Sequence, residues 1–114
     1  MIPQTQSRVG KRGRCFPTCI ASILDIDERD VPDLDNTDRA QVDKFLAPYG
    51  YYYREVGTDV RPLGYHIILG VSPRGGNHSV VGRDGKLVHD PHPQDGTGRG
   101  LVKAYGYGIL CKKL

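Results

Sequence analysis

Apolar residues recur at helical spacing near the start of the chain. They follow the i, i+3, i+4, i+7, i+8 positions of one helical face, at Phe16, Cys19, Ile20, Ile23 and Leu24. Pro17 suits a first helical turn, where its missing N–H costs nothing. The pattern ends in an acidic stretch, so we expect the first helix over residues 17–24.

A second, weaker helical pattern follows. We expect it to be capped by Asn36 or Thr37 and to end at Pro48 and Gly50. Its buried side is predicted to carry Val42, Phe45 and Leu46.

After Gly50 the pattern changes from helical to extended. Residues 65–71 form a nearly continuous apolar run, which is typical of a central strand buried on both faces. Further strands are predicted over 51–56, 78–82, 86–90 and about 105–110, with a glycine-rich loop over 91–100. Helices followed by an antiparallel sheet indicate an α+β fold, which we expect to form one domain over residues 1–114.

Composition limits the classes of function. No apolar run approaches transmembrane length, and no apolar stretch follows the charged N-terminus as a secretory signal would require. We therefore expect a cytoplasmic protein without a membrane partner. The net charge of +3 is mild, and nucleic-acid binding is not expected. The basic cluster near the N-terminus is predicted to be a solvated arm, formed by Arg8, Lys11, Arg12 and Arg14.

Cys15 is the candidate nucleophile. The chain has three cysteines, an odd number, which in a reducing compartment are expected to be free thiols. Cys15 precedes Pro17 by two residues and should lie at the helix N-terminus, where the partial positive charge favours a thiolate. An isolated cysteine at such a position is more often inert, so the downstream residues decide its interpretation.

His78 and Asp90 belong to a predicted hairpin with two possible registers. A two-residue Asp84-Gly85 turn would pair Arg83 with Lys86 and place Asp90 on the face opposite His78. A three-residue loop over 83–85 would pair Gly82 with Lys86 and set His78 directly across from Asp90. We expect the three-residue loop, because the carboxylate would then orient the imidazole towards a thiol.

The remaining histidines and cysteines have simpler interpretations. His66 lies inside the apolar run and is predicted to be a core histidine. His89 should point away from Asp90, and His92 lies on the loop where it is a candidate for lining a cleft. Cys19 occupies an apolar helical position and should be buried, whereas Cys111 lies in a basic tail.

Metal binding is not expected. Cys15-x3-Cys19 and His89-x2-His92 superficially supply four zinc ligands, but the histidine spacing is tighter than in zinc fingers and the pairs are far apart in sequence. No cofactor is predicted.

Three segments carry a resemblance to a known family. They are Gly13-Arg14-Cys15-Phe16-Pro17-Thr18-Cys19 with the helix after it, Asn77-His78-Ser79-Val80-Val81, and Leu87-Val88-His89-Asp90-Pro91-His92-Pro93. In this order they resemble small papain-like-fold cysteine peptidases of the C39/NlpC-like group, of which compact versions occur in bacteria and phages. The resemblance spans most of the chain. It implies a papain-like fold, in which the helix that carries the cysteine packs on an antiparallel sheet.

The resemblance also implies roles for individual residues. Cys15 would be the nucleophile, His78 the general base and acid, and Asp90 the residue that orients the imidazole. Members of the group use a glutamine as an oxyanion donor beside the N–H of the cysteine.

The nearest candidate for this donor is Gln6, with Gln4 behind it, although the gap from Gln6 to Cys15 is longer than is usual in the group. Such a donor contributes roughly 3 kcal/mol of transition-state stabilisation. Asn77 and His92 are candidate substrate contacts.

The sequence supports two functions of different classes. The first is a cysteine hydrolase that cleaves a peptide, isopeptide or related amide bond of a peptide or protein substrate, with the 91–100 loop as one wall of the cleft. Acyl transfer and deamidation use the same groups. The alternative is a binding module on the same fold, which sequesters a protein or nucleic-acid partner without chemistry. Its contact surface would include the basic arm and the tyrosines Tyr49, Tyr51, Tyr52 and Tyr53.

Overall fold

The computed structural model describes residues 1–7, 14–93 and 99–114. Two α-helices come first, α1 (Cys15–Leu24) and α2 (Arg39–Leu46), with short 3-10 turns at Glu28–Asp30 and Ala47–Tyr49. The strands are β1 (Tyr51–Val56), β2 (Tyr65–Val71), β3 (Asn77–Arg83), β4 (Lys86–His89) and β5 (Lys103–Lys112). They form one antiparallel sheet in the order β1-β5-β2-β3-β4, which confirms the predicted α+β class. In the described part of the chain, no helix is long and apolar enough to cross a membrane.

Helix α1 begins at Cys15, two residues before the predicted start. The Thr18 N–H donates to the Arg14 carbonyl at 2.9 Å and closes the first turn. Pro17 lies inside this turn, where a missing N–H breaks no helical hydrogen bond. Cys15 is therefore the first residue of the helix rather than a residue that precedes it.

The cap of α2 is Asp38 instead of Asn36 or Thr37. The Asp38 carboxylate accepts a hydrogen bond from the Gln41 N–H at 3.2 Å. Thr37 belongs to a local turn, in which its N–H and its hydroxyl both donate to the Asp35 side chain. The prediction was wrong because several adjacent residues can cap a helix, and their spacing alone does not select one.

Strand β2 lies in the centre of the sheet and is buried on both faces, as its apolar run predicts. Ile67 and Leu69 join the main core beneath α1. His66 and Ile68 occupy the opposite face, where a Cβ on Gly82 would contact both. The His66 ring is fully buried and accepts a hydrogen bond from the Gly85 N–H at 3.0 Å, so its predicted role as a core histidine is confirmed.

The β3–β4 hairpin has the register that we did not expect. Asp84 and Gly85 form a two-residue turn with positive φ angles of 53° and 87°, and Arg83 pairs with Lys86. A bulge then inserts Val88, so that Gly82 pairs with Leu87 but Val81 pairs with His89. The next pair would set Asp90 opposite Val80. Val80 and His78 point to the same face of β3, because side chains alternate along a strand. Asp90 therefore lies on the same face of the sheet as His78, and a bulge rather than a longer turn places it there.

Two residues that we placed at the surface are buried. Arg14 is not part of a solvated arm: its Nε donates to Glu28 at 2.6 Å, and its other nitrogens bind Asp33 and two backbone carbonyls. Tyr53 is fully buried against Phe16, because strand alternation turns it inward, and this removes it from the tyrosine surface of the alternative function. Arg8, Lys11 and Arg12 lie outside the described residues, as do residues 94–98 of the predicted glycine-rich loop.

We predict that Arg14→Met destabilises the protein by about 2 kcal/mol, because Glu28 would lose the cation that compensates its burial. The matched control is Arg29→Met, which breaks the exposed ion pair with Asp27 and should leave the stability nearly unchanged. Urea unfolding curves of both variants measure this difference. Equal midpoints would contradict a structural role for the Arg14 network.

Candidate active site

Cys15 lies partly exposed at the first position of α1. Arg14, the residue before it, makes no side-chain cap, since its guanidinium is held by Glu28 and Asp33. The N–H groups of Cys15 and Phe16 have no partner among the described residues, and Pro17 has no N–H. The helix start therefore offers two donors and the positive end of its dipole beside the sulfur.

His78, the second residue of β3, connects this thiol to a carboxylate. Its Nε2 is 2.7 Å from Asp90 Oδ1, and both side chains are buried. Its remaining nitrogen, Nδ1, is the one left to face the Cys15 thiol, and the imidazole and the thiol each shift the pKa of the other. The structure thus brings together the three residues that the sequence singled out, each from a different element.

Electrostatics in the site favour a thiolate beside an imidazolium. Burial opposes ionisation of Cys15, but hydrogen bonds and charge from His78, together with hydrogen bonds from Ser79, lower the pKa of the thiol. Burial likewise opposes the charged form of His78, but Asp90 and Cys15 raise the pKa of the imidazole to about 9. These shifts belong to one coupled pair, in which each charge stabilises the other.

Asp90 is fixed by the backbone around it. Its Oδ1 also accepts from the His92 N–H at 2.9 Å, and its Oδ2 accepts from the Gly100 N–H at 2.5 Å. Burial alone would favour the neutral acid, but the hydrogen bonds from His78 and from these two N–H groups lower the pKa of Asp90 far below its usual range. The carboxylate consequently stays charged and oriented towards the imidazole.

The N-terminal segment runs beside the site. The Gln6 N–H donates to the Pro91 carbonyl at 2.8 Å, and the Gln6 side chain is buried. Gln4 is engaged elsewhere, since its side-chain amide binds the backbone of Ile26 and Glu28. Of the two glutamines considered, Gln6 is therefore the one that lies next to the segment after Asp90.

The two candidate substrate contacts differ in exposure. Asn77 is exposed at the start of β3. His92 is only 5% exposed, and its ring centroid lies 6.3 Å from that of His78 at an interplanar angle of 80°. Its side chain thus packs beside the imidazole, and its backbone orients Asp90.

Sequence reasoning missed Ser79 and Gly100. Ser79 lowers the pKa of the Cys15 thiol through its N–H and its side chain, and the Gly100 N–H donates to the second oxygen of Asp90. Because Ser79 directly follows His78, its position in the sequence could have indicated that it lies near the site. Nothing in the pattern indicated Gly100, because a backbone donor leaves no trace in side-chain chemistry.

The other thiols and histidines occupy different surroundings. Cys19 is fully buried, as predicted, and burial raises the pKa of its thiol well above the ordinary value, with the charges of Cys15 and Asp90 adding to the effect. His89 binds the Gln4 carbonyl through Nε2. Within residues 1–7, 14–93 and 99–114, no group of three or more histidine, cysteine or acidic side chains is placed to hold a metal ion.

Comparisons with protein-family models, with curated proteins and with solved structures found no match to this chain.

We predict that Asp90→Asn lowers the pKa of His78 from about 9 towards its ordinary value, because the imidazolium loses the adjacent negative charge. The pKa of Cys15 should rise in response. Histidine titration by NMR measures the first shift, and His66, which is remote from Asp90, provides the internal control. An unchanged His78 titration would show that the carboxylate does not stabilise the imidazolium.

Proposed function

We propose that this protein is a cysteine-dependent hydrolase that cleaves a peptide, isopeptide or related amide bond. The observation that carries the proposal is the buried hydrogen bond between His78 and Asp90, on an imidazole that also lowers the pKa of the Cys15 thiol. A nucleophile that lies beside a base, which is in turn oriented by an acid, is the arrangement that covalent catalysis requires.

The first half-reaction forms a thioester. The Cys15 thiolate attacks the carbonyl carbon of the substrate, and the carbonyl electrons move to oxygen. When the tetrahedral intermediate collapses, the C–N bond breaks and the imidazolium of His78 gives its proton to the departing amine. Asp90 holds the imidazole in place throughout.

The second half-reaction restores the enzyme. Neutral His78 removes a proton from water, and the resulting hydroxide attacks the thioester carbonyl. The C–S bond then breaks, so that a carboxylic acid leaves and the thiolate–imidazolium pair is regenerated.

The oxyanion of both intermediates needs donors near Cys15. The N–H of Cys15 at the helix start is one, and we propose the Gln6 side-chain amide as the second. The anchoring of Gln6 to Pro91 supports this assignment.

The papain-like architecture of the C39/NlpC-like group and a cytoplasmic location remain part of this proposal. The order of the elements supports the former, since a helix that begins with the cysteine packs against the strand that carries the histidine. A catalytically silent binding module has no need of a thiol with a lowered pKa, and the burial of Tyr53 reduces its contact surface.

We predict that iodoacetamide alkylates Cys15 at a pH below the ordinary thiol pKa of about 8.5. The lowered pKa of Cys15 places the onset of labelling on the acid side of that value, and His78→Ala should move the onset back towards it. Peptide mass spectrometry against pH measures each cysteine separately, with the partly exposed Cys111 as the internal control. If Cys15 and Cys111 titrate alike, the proposed catalytic pair is not formed.

We further predict the behaviour of any turnover found by screening a proteome-derived peptide mixture with mass spectrometry. Cys15→Ala should abolish it, and Gln6→Ala should lower it by about 100-fold through loss of an oxyanion donor. Gln6→Ala should leave iodoacetamide labelling of Cys15 unchanged, since alkylation forms no oxyanion. Turnover that survives Cys15→Ala would exclude the mechanism.

A further inference from the structure

The buried Glu28 carboxylate joins three segments of the chain. Its Oε1 accepts hydrogen bonds from Arg14 Nε at 2.6 Å, from Ser7 Oγ at 3.0 Å, and from the Ser7 N–H and Thr18 Oγ1 at 3.3 Å each. Burial opposes ionisation, but the hydrogen bonds from Arg14 and Ser7 lower the pKa of Glu28. The carboxylate is therefore charged, and it links the N-terminal segment and helix α1 to its own 3-10 turn.

The two segments that Glu28 links carry the proposed nucleophile and the proposed oxyanion donor. Arg14 directly precedes Cys15, and Ser7 directly follows Gln6. Two groups that bond one oxygen atom lie within about 6 Å of each other, so Ser7 and Arg14 are neighbours in space. The long interval of sequence between Gln6 and Cys15 is thereby closed at its two flanks.

The N-terminal segment is also bound on the other side of the site. The Gln6 N–H donates to the Pro91 carbonyl at 2.8 Å, and His89 Nε2 lies 2.5 Å from the Gln4 carbonyl oxygen. Pro91 and His89 are the two residues that flank Asp90 in the sequence. The segment is therefore held from both sides, by the buried carboxylate described above and by the chain around Asp90.

We propose that Ser7 and Glu28 are positioning residues, which hold the Gln6 amide in place beside Cys15 as the oxyanion forms. A hydrogen-bond donor stabilises a transition state fully only when it is already oriented, because any remaining freedom must be lost during the reaction. Bonds to a charged acceptor are stronger than neutral ones, which suits them to this task. The inference rests on the proposed hydrolase and on Gln6 as its oxyanion donor.

Two reagents that attack the same thiol in different ways test this role. With 4-nitrophenyl acetate, the Cys15 sulfur attacks the carbonyl carbon, the carbonyl electrons move to oxygen, and 4-nitrophenolate then leaves with the C–O electron pair. Iodoacetamide alkylates the same sulfur by displacement of iodide, and no oxyanion forms. Release of 4-nitrophenolate, corrected with Cys15→Ala, gives the acylation rate constant, and peptide mass spectrometry gives the alkylation rate constant.

The ratio of the acylation to the alkylation rate constant reports the oxyanion donors, because a change in folding or in the thiolate fraction alters both constants. We expect Ser7→Ala to lower this ratio about fivefold, the effect of one hydrogen bond. Gln6→Ala should lower it further, and adding Ser7→Ala to Gln6→Ala should have no effect, because the residue through which Ser7 acts is then absent. Thr37→Ala is the matched control: it removes a hydroxyl that donates to the Asp35 carboxylate at 2.7 Å, and should leave the ratio unchanged.

Glu28→Gln tests the acceptor. This variant keeps an oxygen for Ser7 but removes the charge, and it should lower the ratio at least as much as Ser7→Ala. Because Arg14 loses its buried counter-ion in Glu28→Gln, urea unfolding accompanies the measurement. Ser7→Ala decides the question even if Glu28→Gln does not fold, since Ser7 is exposed and its truncation leaves the pair between Glu28 and Arg14 intact.

An unchanged ratio in Ser7→Ala, or losses from Ser7→Ala and Gln6→Ala that add in the double variant, would overturn the positioning role while the hydrolase stands. An unchanged ratio in Gln6→Ala would remove the oxyanion donor and the positioning role with it. If iodoacetamide labels Cys15 no more readily than Cys111 below the ordinary thiol pKa, the proposed hydrolase and this inference are both wrong.

Discussion

The hydrogen bond between Asp90 and His78 is the constraint on which the site depends. A buried carboxylate is costly unless its lone pairs are satisfied, and this one is satisfied by an imidazole and two backbone N–H groups. These donors come from β3 and from both described ends of the loop after β4. The Asp90 carboxylate therefore links the imidazole to the backbone of His92 and Gly100, and the imidazole in turn lowers the pKa of the thiol on α1.

Helix α1 carries two thiols that differ in pKa. Cys15 and Cys19 are one turn apart, yet the pKa of the first is lowered and that of the second is raised. The difference comes from depth: Cys15 reaches a histidine and two donors at the helix start, whereas Cys19 lies entirely in the core. The pKa values of the two thiols thus differ with their position along the helix axis.

Much of this arrangement could be predicted from the sequence. The apolar spacing predicted both helices and the central strand, and residue chemistry singled out Cys15, His78 and Asp90. Tertiary contacts determined the rest. Arg14 looked like a solvated cation because its partners, Glu28 and Asp33, follow later in the chain. Backbone donors such as the Gly100 N–H, and the bulge in β4, leave no signature in side-chain type.

The bulge at Val88 has a consequence for which sequences can build the same pair of side chains. A regular antiparallel hairpin with a two-residue turn would put Asp90 on the face opposite His78. One additional residue, either in the turn or as a bulge in the strand, is needed to bring both side chains to the same face. Different chains can place it in different ways, with hairpins of different length, and still present the acid to the histidine. Parity of the strand, rather than spacing in the sequence, is what presents an acid to a histidine across a hairpin.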